Sequence, residues 1–259
     1  MTQEEKRLYL IKELLNEQPQ YSGMEIPKDE REQNILLRSL FNIRMPKPAS
    51  EEFLKIQDEY LQAQTAAKGI TRIEDLTPAQ KGIYLWQGDI TTLAADAIVN
   101  AANSALLGCF VPCHGCIDNA IHTAAGVQLR LECADIMKKQ GAEEPTGKAK
   151  ITKAYNLPCK YVIHTVGPIV YKKLTMEDCR LLENCYNSCL DLADKNGIKS
   201  IAFCCISTGE FHFPNEKAAE IAIKTVKEYL SRNKNGTEVI FNVFKDEDKR
   251  IYRRLLSEN

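Results

Sequence analysis

Nothing in the 259-residue sequence approaches the ~18 to 20 consecutive apolar residues of a membrane-spanning helix, so a transmembrane span is excluded. Neither charge is in excess: 34 basic residues face 35 acidic ones, a net charge of −1. That balance argues against wholesale attraction to nucleic acid or anionic lipid. A basic patch interleaved with aromatics is also missing, and aromatics are only 7% of the chain, which removes a single-strand nucleic-acid platform. GxxxxGK[ST] occurs nowhere, against a P-loop NTPase. PCHGC has the second half of a zinc nucleobase deaminase signature, but no H-x-E supplies the first. The opening MTQEEKRLYLIKELLNEQ alternates charged and apolar groups, unlike a secretory signal, so a cytoplasmic protein is expected.

What is present reads as a soluble globular chain, 44% hydrophobic and 27% charged. Its length suits one large domain, or an ordinary domain with an extension. Ten cysteines are too sparse for a disulfide scaffold and read mostly as thiols. Cys204 and Cys205 in SIAFCCIST, and Cys185 and Cys189 four apart on a helix, read as small core hydrophobes. Cys109, Cys113 and Cys116 differ, because GCFVPCHGCIDNAIHTAAG embeds a histidine among them within turn-forming residues.

Residues 1–75 read as a helical N-terminal extension. Leu8, Ile11, Leu14 and Leu15 recur at helical spacing. The break QPQYSGMEIPKD follows, then ILLRSLFNI, and SEEFLKIQDEYLQAQTAAKG with Ser50 as N-cap. From residue 76 to 259 short apolar runs alternate with amphipathic stretches. Strands are expected at IYLWQ, AIVNAA, KAKITKAYNL, YVIHTV, SIAFCCIS and EVIFNVF, with helices between them and stops at Gly197 and Lys234-Asn235-Gly236. That alternation predicts an α/β fold, a mixed sheet with helices on both faces. Ligands in such folds sit at strand C-terminal ends.

Three loops fall at such ends. GDIT (88–91) sets an acid, Asp89, just past an apolar strand, where it can cap a turn or accept from an exocyclic amine. NAANS (100–104) offers amides beside small alanines, suited to vicinal hydroxyls or to an ordinary turn. STGEFHFP (207–214) places small residues and exposed amides ahead of a helix, a cradle for phosphates, with Phe211 and Phe213 offering aromatic faces.

Taken in order, GDIT, AIVNAANS, IDNAIHTAAG, YVIHTVGP and STGEF resemble the macrodomain family of ADP-ribose readers and hydrolases, over roughly residues 80 to 259. The resemblance implies a macrodomain-type three-layer α/β/α mixed sheet. It implies that Asp89, with Ile90 beside it, meets the adenine, that Asn103 meets the distal ribose, and that Ser207, Thr208, Gly209, Glu210 and Phe211 wrap the diphosphate. Where common hydrolytic macrodomains carry a glycine-rich loop, this sequence reads LLGCFVPCHGCIDNAIH. That substitution resembles the zinc-dependent subgroup, whose loop binds metal through Cys-x4-His-x-Cys and whose chains carry a helical N-terminal extension.

The spacing supports one zinc per chain. His114 and Cys116, two apart, point to one side of an extended chain, and Cys109 can loop round across Pro112 to complete the grip. Including Cys113 would make a closed structural site, and a loop without physiological metal is the third reading. Adjacent Cys113 and His114 face opposite ways when extended, which favours the open, three-ligand site. Asp118 and Asn103 are the expected catalytic neighbours, Asp118 having N-capping as its ordinary role. His122 reads as a packed, hydrogen-bonded helix residue, His164 as structural, and His212 as a loop residue near ligand. The expected function is a zinc-dependent ADP-ribosylhydrolase releasing mono-ADP-ribose from acidic side chains of a modified protein. The alternative is an ADP-ribose-binding module with a structural zinc. The subgroup's bacterial members further imply a lipoyl-carrier protein and a sirtuin-type ADP-ribosyltransferase as partners.

Overall fold

Capping chemistry sets the helices of the N-terminal region. Helix α1 (Gln3–Asn16) opens on a Thr2/Glu5 capping box, α2 (Glu30–Ile43) on Asp29, and α3 (Glu51–Lys68) on Ser50, whose hydroxyl accepts from the Phe53 amide. This computed structural model describes residues 1–21, 23–233 and 235–258, so Lys234 of the expected helix stop lies outside the described residues. Helix α2 begins at Glu30, ahead of the apolar run that opens at Ile35, because the Asp29 cap lies in a polar stretch where hydrophobic periodicity carries no signal. Leu10, Ile11, Leu14, Leu37, Leu40, Phe53 and Tyr60 close a core of their own, which Val127 joins.

The rest of the chain runs β1 (Thr71–Arg72), β2 (Pro78–Gln80), β3 (Ile83–Gln87), β4 (Leu93–Ala94), β5 (Ala97–Ala102), α4 (Ile117–Ala125), α5 (Val127–Gln140), β6 (Ala149–Lys153), β7 (Tyr161–Val166), α6 (Met176–Lys195), β8 (Ser200–Phe203), α7 (Asn215–Arg232), β9 (Glu238–Val243) and α8 (Asp246–Ser257). Seven strands form one sheet in the order β2-β3-β9-β8-β5-β7-β6. The inner pairs are all parallel, and β2 and β6 close the edges antiparallel. Strands β5, β7, β8 and β9 are almost wholly buried and mostly apolar, as sheets covered on both faces require. The architecture is the three-layer mixed α/β/α sheet.

Two strands stop short of their apolar runs. KAKITKAYNL leaves the sheet at Lys153, where Ala154 turns back to bond Lys160 and Tyr155 takes φ 54°. SIAFCCIS ends as strand at Phe203, and Cys204 and Cys205 already belong to the loop. Helices α4 and α5 are parted by Gly126 at φ 93°, where a side chain would collide with Gln57 of α3. Parallel β3, β5, β7, β8 and β9 all end on the same edge of the sheet, so the loops that follow them converge there.

Candidate functional site

A cleft of about 480 Å³ opens at that edge, within the range of small-ligand pockets. All of Asp89, Ile90, Asn103, Cys109, His114, Cys116, Asp118, Ser207, Thr208, Gly209, Glu210 and Phe211 line it. His122, His212 and Phe213 do not. Phe213 is 1% exposed and packs in the core, so of the two loop aromatics only Phe211 faces the cleft.

Asp89, on the cleft wall, takes the turn-capping role open to it. Its Oδ1 accepts from the amide and hydroxyl of Thr91, capping a short turn, while Oδ2 accepts from Lys68 Nζ at 3.1 Å. Burial alone would raise this carboxyl, but the Thr91 and Lys68 hydrogen bonds outweigh it and hold it below its ordinary value. It is an ionised acceptor at neutral pH.

The 207–213 loop carries strain and unused donors. Ser207 and His212 take φ of 65° and 56°, a costly region for residues with side chains. The Ser207 hydroxyl is buried without a partner. The amides of Gly209, Glu210 and Phe211 donate to nothing within the described residues. A buried, unpartnered hydroxyl beside open backbone amides on a strained loop fits an anion, since the hydroxyl is otherwise costly to leave unpaired.

The cysteine segment lines the same cleft, with His114 beside Glu210 of that loop. The ligand-type atoms of Cys109, His114 and Cys116 lie within 4.8 Å of one another. Buried His114 Nδ1 has no hydrogen-bond partner, while its Nε2 faces Glu210 Oε1 at 3.7 Å. Cys116 caps α4, accepting from the Asn119 amide through sulfur at 3.4 Å. Burial pushes its thiol up to about 11, so a thiolate there needs a cation beside it. Two thiols and an orphaned imidazole nitrogen are a donor set that fits zinc. Cys113 stands outside the cluster. At φ 53° its sulfur turns onto α2, 3.3 Å from Ser39 Oγ and donating to the Ile35 carbonyl.

Asp118 sits inside the first turn of α4 rather than at its cap, because Cys116 holds that position. Its Oδ1 accepts from Asn100 Nδ2 at 2.8 Å, and Asn103 Nδ2 stands 3.4 Å from Oδ2. Burial lifts its carboxyl to about 6 despite the Asn100 bond. His122 departs from the expected hydrogen-bonded packing. Both its ring nitrogens are buried and unpartnered, the nearest acid oxygen being Asp118 Oδ1 at 3.5 Å. Gly108 explains why the ring is tight, since a side chain there would come within 2.8 Å of it. His122, Cys133 and His164 form a second group of ligand-type atoms, but Asn100 and Thr152 already engage both His164 nitrogens and Arg130 repels a cation there.

Residues 99–222 match the Macro domain family. A curated relative from Treponema medium, named Protein-ADP-ribose hydrolase, is 59% identical and covers 99% of this chain and 100% of its own length. The chain belongs to the macrodomain family. A Protein-ADP-ribose hydrolase from Staphylococcus aureus is 47% identical, covering 97% of this chain and 95% of that protein. Among solved structures, the Trypanosoma brucei macrodomain in complex with ADP-ribose superposes with a TM-score of 0.67 at 31% identity, covering 85% of this chain and 94% of that one.

The cleft of this macrodomain is also lined by residues outside the three loops GDIT, NAANS and STGEFHFP. Phe244, 77% exposed, follows β9 and flanks Asp89, since β9 pairs with β3 and the Gly88 amide bonds the Val243 carbonyl. The strand-end rule points to it, since EVIFNVF is a parallel strand. Gly167 lines the cleft after β7, and a side chain there would stand 2.0 Å from Ser207 Oγ. Only the fold reveals that approach.

Proposed function

We propose that this macrodomain is a zinc-dependent protein-ADP-ribose hydrolase that removes mono-ADP-ribose from acidic side chains. One observation carries the reading: a thiol–imidazole–thiol cluster shares a single cleft with an adenine-type acceptor and an anion loop. The names of the Treponema and Staphylococcus relatives support the hydrolase class.

Asp89 accepts the adenine amine, and Phe244 gives the base a face to stack on. The open amides of Gly209, Glu210 and Phe211, with the Ser207 hydroxyl, bind the diphosphate. Asn103 meets the distal ribose. Cys109, His114 and Cys116 hold the metal. Zinc held by three protein ligands supplies a Lewis acid and lowers the pKa of a bound water to about 7.

Hydrolysis breaks the bond between C1″ of the distal ribose and the ester oxygen, and water delivers its oxygen to C1″. Asp118 orients that water and takes its proton on Oδ2, the oxygen that Asn100 leaves free. The released carboxylate needs no proton donor, which suits esters of Asp and Glu.

Cys116→Ala tests this. Metal content and release of ADP-ribose from a mono-ADP-ribosylated acceptor should both vanish while ADP-ribose binding persists. Full turnover in the metal-free variant excludes the metal mechanism, and binding without turnover in the wild type leaves an ADP-ribose reader.

A further inference from the structure

The metal loop does not stand alone. Ile35, Arg38, Ser39 and Asn42 fall at i, i+3, i+4 and i+7 on α2, which places them on one stripe of that helix. That stripe faces the cysteine segment. The Ile35 carbonyl and Ser39 hydroxyl hold the Cys113 sulfur, and Asn42 accepts from the Cys113 amide at 2.8 Å while donating to Thr123 Oγ1 at 2.9 Å.

Arg38 occupies the centre. Its Nη2 donates to the carbonyl of His114 at 2.9 Å and to Asn119 Oδ1 at 2.8 Å, with Nε 3.3 Å from the same oxygen. His114 is itself a ligand residue. Asn119 holds the other side of the loop, its amide N–H donating to Cys116 Sγ and its Nδ2 to the Val111 carbonyl at 3.0 Å. One guanidinium therefore ties the His114 carbonyl to the Asn119 side chain, the two points that aim two of the three ligands.

We propose that Arg38 is a positioning residue of the metal site, so that α2 of the N-terminal region helps to orient His114 and Cys116. The proposal rests on the zinc reading above. Its logic is that of outer partners that orient metal ligands: a loop rich in turns holds three donors within reach of one ion only if something rigid fixes its backbone. A helix packed on its own hydrophobic core is such a frame. The planar fork of Arg38 grips two acceptors where a lysine ammonium meets them as a point charge.

The test is zinc affinity of the full chain by competition with a chromophoric chelator, alongside calorimetric binding of ADP-ribose. Arg38→Ala should weaken zinc by roughly 10- to 100-fold, the range for loss of an outer partner. ADP-ribose affinity and the melting temperature of the zinc-free protein should stay at wild-type values. Arg38→Lys should fall between, and Arg31→Ala, an exposed arginine on the same helix, should match wild type. Unchanged zinc affinity in Arg38→Ala overturns the proposal, as does a loss matched by an equal loss of zinc-free stability. A wild-type protein that takes up no zinc refutes the metal reading itself, a separate outcome.

Discussion

His164 offers a test whose size follows from its surroundings. It is 0% exposed on β7, with Asn100 Nδ2 3.1 Å from its Nδ1 and Thr152 Oγ1 3.0 Å from its Nε2. Asn100 also donates to Asp118 through the same amide nitrogen, so it presents a donor to the ring. His164 Nδ1 must accept, and its proton sits on Nε2. Burial lowers its pKa from 6.5 to about 4. The sign follows. Above pH 6.5 neither state binds the extra proton and stability is complete. Between 6.5 and 4 the unfolded chain binds it and the folded one does not, so stability falls with pH. At pH 4.5 the loss is roughly 2 to 3 kcal/mol. Asp118 works in the opposite direction: burial raises it from 3.8 to about 6, so its contribution grows as pH falls. The two offset each other in the wild-type curve, and a difference measurement separates them. His164→Asn keeps an acceptor near the Nδ1 position and does not titrate. Urea unfolding of both proteins, followed by circular dichroism and by the single tryptophan, gives the gap in stability between them. That gap should shrink by roughly 2 to 3 kcal/mol from pH 7.5 to 4.5. A gap independent of pH refutes the account of a neutral, acceptor-facing imidazole.

Cys113→Ser should leave zinc stoichiometry at one per chain, measured by metal analysis, because the sulfur faces Ser39 and the Ile35 carbonyl rather than the cluster. Loss of metal in that variant restores the closed four-ligand site. Gly167→Ala should weaken ADP-ribose by about tenfold in calorimetry, about 1.4 kcal/mol, while sparing zinc uptake. The added methyl would stand 2.0 Å from Ser207 Oγ and 2.9 Å from Ile206 Cγ2, so the anion loop must shift; unchanged affinity shows that it moves freely.

The cleft was readable in the linear sequence for a topological reason. Once GDIT, NAANS and STGEF are placed after parallel strands, the sheet has to bring them to one edge, whatever the strand order. The grouping of Cys109, His114 and Cys116 was readable because all lie within one short loop. The role of α2 was not. Arg38, Ser39 and Asn42 are polar positions on an amphipathic helix, and their pattern is that of a solvated face. Their partners lie 71 to 81 residues away, too far for any local periodicity to register. Cys113 joins the two cases. Adjacency to His114 argued that the two side chains diverge, but divergence alone does not say where the sulfur goes. The positive φ at Cys113 and the acceptors on α2 decide that, and they take one thiol out of a segment that holds three. A sulfur-rich loop free in solution could close four donors round a zinc ion. Held against α2, it turns one sulfur away and leaves Cys109, His114 and Cys116 grouped. The helical region thereby bears on the arrangement of three donor-type side chains that all lie outside it, which is why Arg38, and not Cys113, is the residue to change first.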